Sequence, residues 1–151
     1  MPEPDPQSRT TSADIGALRQ NLSSRLAYVV LYRAFQAQAG EAEIRGFLHQ
    51  ALEEDQGFMA RLAQALRRRG QPVDLQPDAG ELLKQFYSRR TPLARLEFLR
   101  QGAAHAAQWY GQRAGDPSLS QEVRELFAEG AELQRRRAKQ VQELMEHLHH
   151  R

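Results

Sequence analysis

From Glu41 to Arg69 apolar residues return every three or four positions, and one member of that series is an aspartate. The stripe reads Ile44, Leu48, Ala51, Asp55, Phe58, Leu62 and Ala65, with Phe47, Leu52, Met59 and Leu66 on its flanks. That period belongs to an amphipathic helix. A helix that buries this stripe must bury Asp55 with it, and a bare carboxylate among hydrocarbon is expensive. Asp55 must therefore be paired, protonated or bound to a metal. Any fold open to the chain has to bring a second helix face that supplies such a partner.

The remainder of the chain also reads as helix. Ser12, followed by Asp14, is a candidate cap for a first helix with Ile15, Leu18, Leu22, Leu26, Val29 and Arg33 on one stripe. Gly40 ends that helix, and the short connection to Glu41 makes the first two helices antiparallel neighbours. Gly70 and Pro72 stop the second helix behind Arg67, Arg68 and Arg69, whose charges suit a helix C-terminus. A turn-rich stretch, QPVDLQPDAG, leads to a short amphipathic helix with Leu82, Leu83, Phe86 and Tyr87. Thr91-Pro92 then starts a third long helix that runs to about Arg113, and Gly115-Asp116-Pro117-Ser118 separates it from a last one. Strand signals are absent. At roughly 1.5 Å per helical residue and roughly 3.3 Å per extended one, Gln71–Thr91 is long enough to recross a bundle. The second and third long helices are therefore expected to run parallel.

Composition narrows the functional classes. With 151 residues, 40% hydrophobic and 26% charged, the chain suits one globular domain, expected over 12–151 behind a disordered tail at 1–11. The longest apolar run, Leu26–Tyr32, falls far short of the roughly 20 residues that span a membrane. The Pro-rich N-terminus carries no apolar signal core, so a cytoplasmic location is expected. Without cysteine there is no disulfide, thiolate metal site or cysteine nucleophile. A net charge of +2 offers little general attraction to nucleic acid, and Arg135, Arg136 and Arg137 fall on three faces of their helix. No phosphate loop or Ser-His-Asp pattern occurs. His49 and His105 read as packing or surface residues, and His147, His149 and His150 as a weak, exposed metal-binding run.

Three blocks, EIRGFLHQALEEDQGFMARLAQALRRRG, FYSRRTPLARLEFLRQG and DPSLSQEVRELFAEGAELQRRRA, cover most of Glu41 to about Val141. This stretch resembles a small, poorly characterised branch of bacterial ferritin-like proteins with a degenerate metal site. The resemblance implies an all-α, ferritin-like four-helix bundle whose long crossover carries a short extra helix. Di-metal members of that superfamily take one carboxylate from each of two helices and Glu-x-x-His from each of the other two. Here Asp55 is followed at that spacing by Phe58, Glu54 by Gly57 and Glu53 by Gln56, and Glu129 leads to Glu132 and Glu132 to Arg135. The first helix has no acidic residue between Gly16 and Ala39.

The expected function is therefore that of a non-catalytic bundle with no catalytic residue and no resident cofactor, acting through homodimerisation or a protein partner. Its interior is expected to hold a polar cluster of Asp55, Glu97, Gln134 and Arg137, with Arg25 or Arg33 as alternative partners for Asp55. Tyr28, Leu31, Tyr32 and Phe35 cover more of the first helix than one inward face needs, and so form the expected dimer or partner surface, the crossover helix being the other candidate cover. The alternative is a metal-binding protein or di-metal carboxylate oxidoreductase holding iron or manganese on Asp55, Glu97 and Glu129. A nucleic-acid-associated helical protein stands behind both.

Overall fold

The computed structural model describes residues 6–150, which form five helices in the order α1 (Pro6–Gln38), α2 (Ala42–Arg68), α3 (Gly80–Ser88), α4 (Pro92–Ala114) and α5 (Gln121–His149). No strand occurs among the described residues, and no helix among them is long and apolar enough to cross a membrane. Helix α1 starts at Pro6 and not behind a Ser12 cap. Proline suits the first helical turn, and the Thr11 hydroxyl donates back to the Gln7 carbonyl at 2.9 Å. Residues 6–11 of the expected tail are thus helical, while residues 1–5 lie outside the described residues.

The other helix ends follow local chemistry. Thr91 Oγ1 accepts from the Ala94 amide at 3.1 Å, with Pro92 at the first helical position, and Ser120 Oγ accepts from Val123 at 3.3 Å. Helix α2 ends in a Schellman turn. The Gln71 amide donates to Leu66 at 3.1 Å and the Gly70 amide to Arg67 at 2.9 Å, with Gly70 at φ 73°. Arg45 donates to the carbonyls of Ala39 and Gly40 at 3.0 and 2.8 Å, which fixes the turn between α1 and α2.

Backbones approach closely within two antiparallel hairpins, α1–α2 and α4–α5, and much less between them. Ala103 and Ala107 on α4 and Gly130 and Ala131 on α5 are buried small residues, and the Tyr110 ring lies directly against the Gly130 backbone. Between the hairpins, Arg137 meets Asp55, Arg61 meets Glu129 and Arg68 meets Glu122, so α5 steps back as α2 advances. Helices α2 and α5 are therefore antiparallel, and α2 and α4 run parallel. Tyr110 bonded to Asn21 and Arg95 to Gln38 give the matching antiparallel register of α4 on α1. Residues 69–91 cross from one end to the other, and α3 packs on α1 along the way.

Two apolar clusters fill the interior. One gathers Leu18, Leu22, Phe58, Leu62, Leu66, Tyr110 and Phe127; the other gathers Leu31, Phe35, Ile44, Leu48, Phe86, Leu96 and Val141. The second cluster corrects the expected association surface. Leu31, Tyr32 and Phe35 are buried within the chain itself, and Tyr28 is half-buried. Phe86 of α3 supplies the cover, its ring 5.2 Å from that of Phe35. The segment is apolar nearly all round because α3 adds a third helix face to it.

Packing around the glycines sets a stability test. A Cβ on Gly130 would stand 2.9 Å from two carbons of the Tyr110 ring, whereas one on Gly16 would meet nothing within 4 Å. Alanine gains about 1 kcal/mol over glycine inside a helix, and overpacking a core costs about 1–3 kcal/mol. Gly16→Ala is expected to raise the urea midpoint and Gly130→Ala to lower it.

Candidate functional site

Asp55 sits where the two apolar clusters meet, fully buried at 0% exposure, and both of its carboxylate oxygens are taken by arginines. Arg137 of α5 donates to Oδ1 at 2.6 Å, and Arg25 of α1 donates to Oδ2 at 3.3 Å. Each arginine is itself only 2% exposed. The period of α2 puts Asp55 on the inward stripe, and α1 and α5 place their cations from either side at the same level.

The two arginines are not equivalent. Arg137 also donates to the Tyr32 hydroxyl at 3.2 Å, the Ala51 carbonyl at 3.3 Å and the Glu54 carboxylate at 3.3 Å. Arg25 makes a single hydrogen bond among the described residues, the long one to Asp55, and its buried Nε has no partner. Its guanidinium lies 4.6 Å from the centre of the Tyr28 ring, a cation–π contact. Two buried cations thus face one buried anion, and the second anion, Glu54, is a quarter exposed. For both arginines burial is the largest influence and disfavours the charged form. The anion at Asp55, with the neighbouring tyrosines, outweighs it, so both guanidiniums are held even more firmly protonated than usual. Burial, only partly offset by Arg25, raises the phenols of Tyr28 and Tyr110.

Above Arg25 the interface between α1 and α4 opens into a cleft of about 340 Å³. Asn21, Ser24, Arg25 and Tyr28 line it from α1, and Gly102, His105, Ala106, Trp109 and Tyr110 from α4. The Tyr110 hydroxyl donates to Asn21 Oδ1 at 2.8 Å at its inner edge. This cleft was not legible in the sequence, because it depends on how far apart two helices stand.

Several expected members of the polar cluster fall elsewhere. Glu97 is a third exposed and pairs along its own helix with Arg100, whose Nε donates at 2.7 Å; that hydrogen bond is the main reason its carboxyl lies below the usual range. It faces outward because Leu96 and Leu99 take the buried positions of α4. Gln134 is buried, but neither atom of its amide has a hydrogen bond, so it is no partner of Asp55. Arg33 is exposed, and Arg25, two turns earlier, takes the inward place. His49 pairs with Glu53 at 3.0 Å on the surface.

The candidate metal ligands are not brought together. Glu129 is exposed and paired with Arg61, Glu97 faces away, and the lone pairs of Asp55 are engaged by arginines. Among the described residues no group of three or more His, Asp or Glu side chains is placed to hold an ion. The residues present do not fit a di-metal centre. No protein-family model, curated protein or solved structure gives a significant match to the chain.

Removing Asp55 strands two buried guanidiniums, so Asp55→Ala is expected to lose about 3–5 kcal/mol in chemical denaturation. Arg137→Met should cost more than Arg25→Met, because it removes the shorter of the two bonds to Asp55 along with three others. Tyr110 adds a pH dependence. Its folded-state pKa lies above the ordinary value of 10.0, so its contribution is fully present below that pH and is lost as pH rises through the higher folded value. Urea midpoints across the alkaline range should fall less steeply in Tyr110→Phe.

Proposed function

We propose that the chain is a ferritin-like four-helix bundle that works by binding and not by catalysis, and that arginines occupy the place where metal-binding relatives of that fold hold cations. The engagement of Asp55 carries this reading, since a carboxylate with Arg25 on one oxygen and Arg137 on the other has no free face for a metal ion. The parallel course of α2 and α4, with a crossover between them, supports the same assignment.

Binding in this reading means a protein partner or a second copy of the chain. Among the described residues Tyr87 of α3 is the large hydrophobic side chain left exposed, at 45%. It stands over α1 with its hydroxyl accepting from Gln38 at 3.2 Å, so the α3 face is the proposed contact surface.

Metal analysis of the purified chain is the first test. Iron and manganese well below one per chain are expected, and a stoichiometric metal that Asp55→Asn releases would overturn the reading. Light scattering over a dilution series tests self-association. A mass above the monomer that Tyr87→Glu lowers is expected, and a monomer at micromolar concentration would leave a protein partner as the remaining form.

A further inference from the structure

We propose that the cleft between α1 and α4 is a binding site for a small monocarboxylate with a flat or flexible apolar body. The charge of the site comes from Arg25. Arg25 lines the cleft while almost wholly buried, is permanently charged, and makes only the 3.3 Å bond to Asp55, with Nε unpartnered. Asp55 gives its shorter bond, 2.6 Å, to Arg137, which leaves Arg25 the less satisfied of the two buried cations. An arginine fork is matched by a carboxylate, which accepts two of its N–H groups at once.

The walls specify the rest of the ligand. No aspartate or glutamate lines the cleft, and the buried carboxylate behind Arg25, Asp55, is shared with a second cation, Arg137. Trp109 and Tyr110 line the cleft with aromatic side chains and Ala106 with a small apolar one, while the Tyr28 ring packs against Gly102. A volume of about 340 Å³ lies at the small end of ligand sites, which run from roughly 300 Å³ upward. The cleft between α2 and α5 offers no such site, because its Arg61 and Arg68 are already paired with Glu129 and Glu122. The proposal is independent of how the chain associates and of whether it binds a metal.

Trp109 is the chain's single tryptophan and lines the cleft, so its emission reports occupancy. The full chain is titrated with phenylacetate and hexanoate, and in parallel with phenylacetamide and hexanamide, which keep the apolar body and lose the charge. At least one acid is expected to shift Trp109 emission saturably and to bind about tenfold or more tighter than its amide, the margin of one charge-assisted hydrogen bond. Arg25→Met should erase the difference between acid and amide. Because that variant also alters the core, Ser24→Phe at the exposed rim provides a second arm. It leaves Arg25 in place, should keep the helical circular dichroism of the parent and should block both acids. Equal binding of acids and amides, no saturable response to either acid up to millimolar concentration, or unchanged binding in folded Ser24→Phe would each overturn the proposal.

Discussion

One carboxylate shared by two arginines sets the alignment of the whole interior. Arg25, Asp55 and Arg137 come from three helices and meet at a single level, with one apolar cluster on either side. Sliding any one of these helices by a turn, about 5.4 Å, would strand at least one charge among hydrocarbon. An apolar layer of the same volume would hold the helices together at least as well, since burying ions costs much of what their attraction returns. What such a layer would lack is a preferred register. Leucine tolerates a neighbouring leucine one turn away, whereas Asp55 tolerates nothing but its two cations.

A second division runs between small and large residues. Within the α4–α5 hairpin, glycine and alanine let backbones come close, and the Tyr110 ring rests on bare backbone at Gly130. Between hairpins the spacers are Arg25, Tyr28, Tyr110 and Arg137, side chains too long to permit the same approach. Gly102 sits where Tyr28 crosses α4, and a Cβ there would stand 2.4 Å from the Tyr28 hydroxyl. Large spacers beside small wall residues leave volume that neither helix fills. The cleft is thus a by-product of the same polar layer that fixes the register.

Much of this was legible in the sequence, and the failures share a cause. Helical period, the cap at Thr91 and the glycine at position 70 depend on neighbours along the chain, and each appears where local chemistry puts it, whereas the cap expected at Ser12 lies inside α1. The burial of Asp55 and its need for a partner followed from the apolar stripe, which left Arg137, Gln134, Arg25 and Arg33 as candidates; Arg137 and Arg25 both take the place. Arg33 and Arg25 are eight residues apart, close to two turns, so periodicity alone left both as partners, and only the level of Asp55 on α2 separates them. Glu97 looked internal because it lies among leucines, yet its helix turns those leucines inward and Arg100 draws the carboxylate along the surface. Leu31 and Phe35 were read as surplus apolar surface because nothing in their own helix shows that α3 lies over them.

The division of the network between the hairpins bears on the order of assembly. Arg25 and Asp55 both belong to α1–α2, so that hairpin brings a neutral pair to the encounter, while α4–α5 brings Arg137 alone. Contacts between sequence neighbours form before those that close long loops. Arg137 is therefore still hydrated when each hairpin has formed, and it leaves water only as the two dock. Bonds completed only after the transition state would slow the escape from the native basin and leave the rate of entry almost unchanged. On that order of assembly the buried arginine of α5 would act as a latch that closes when the hairpins dock.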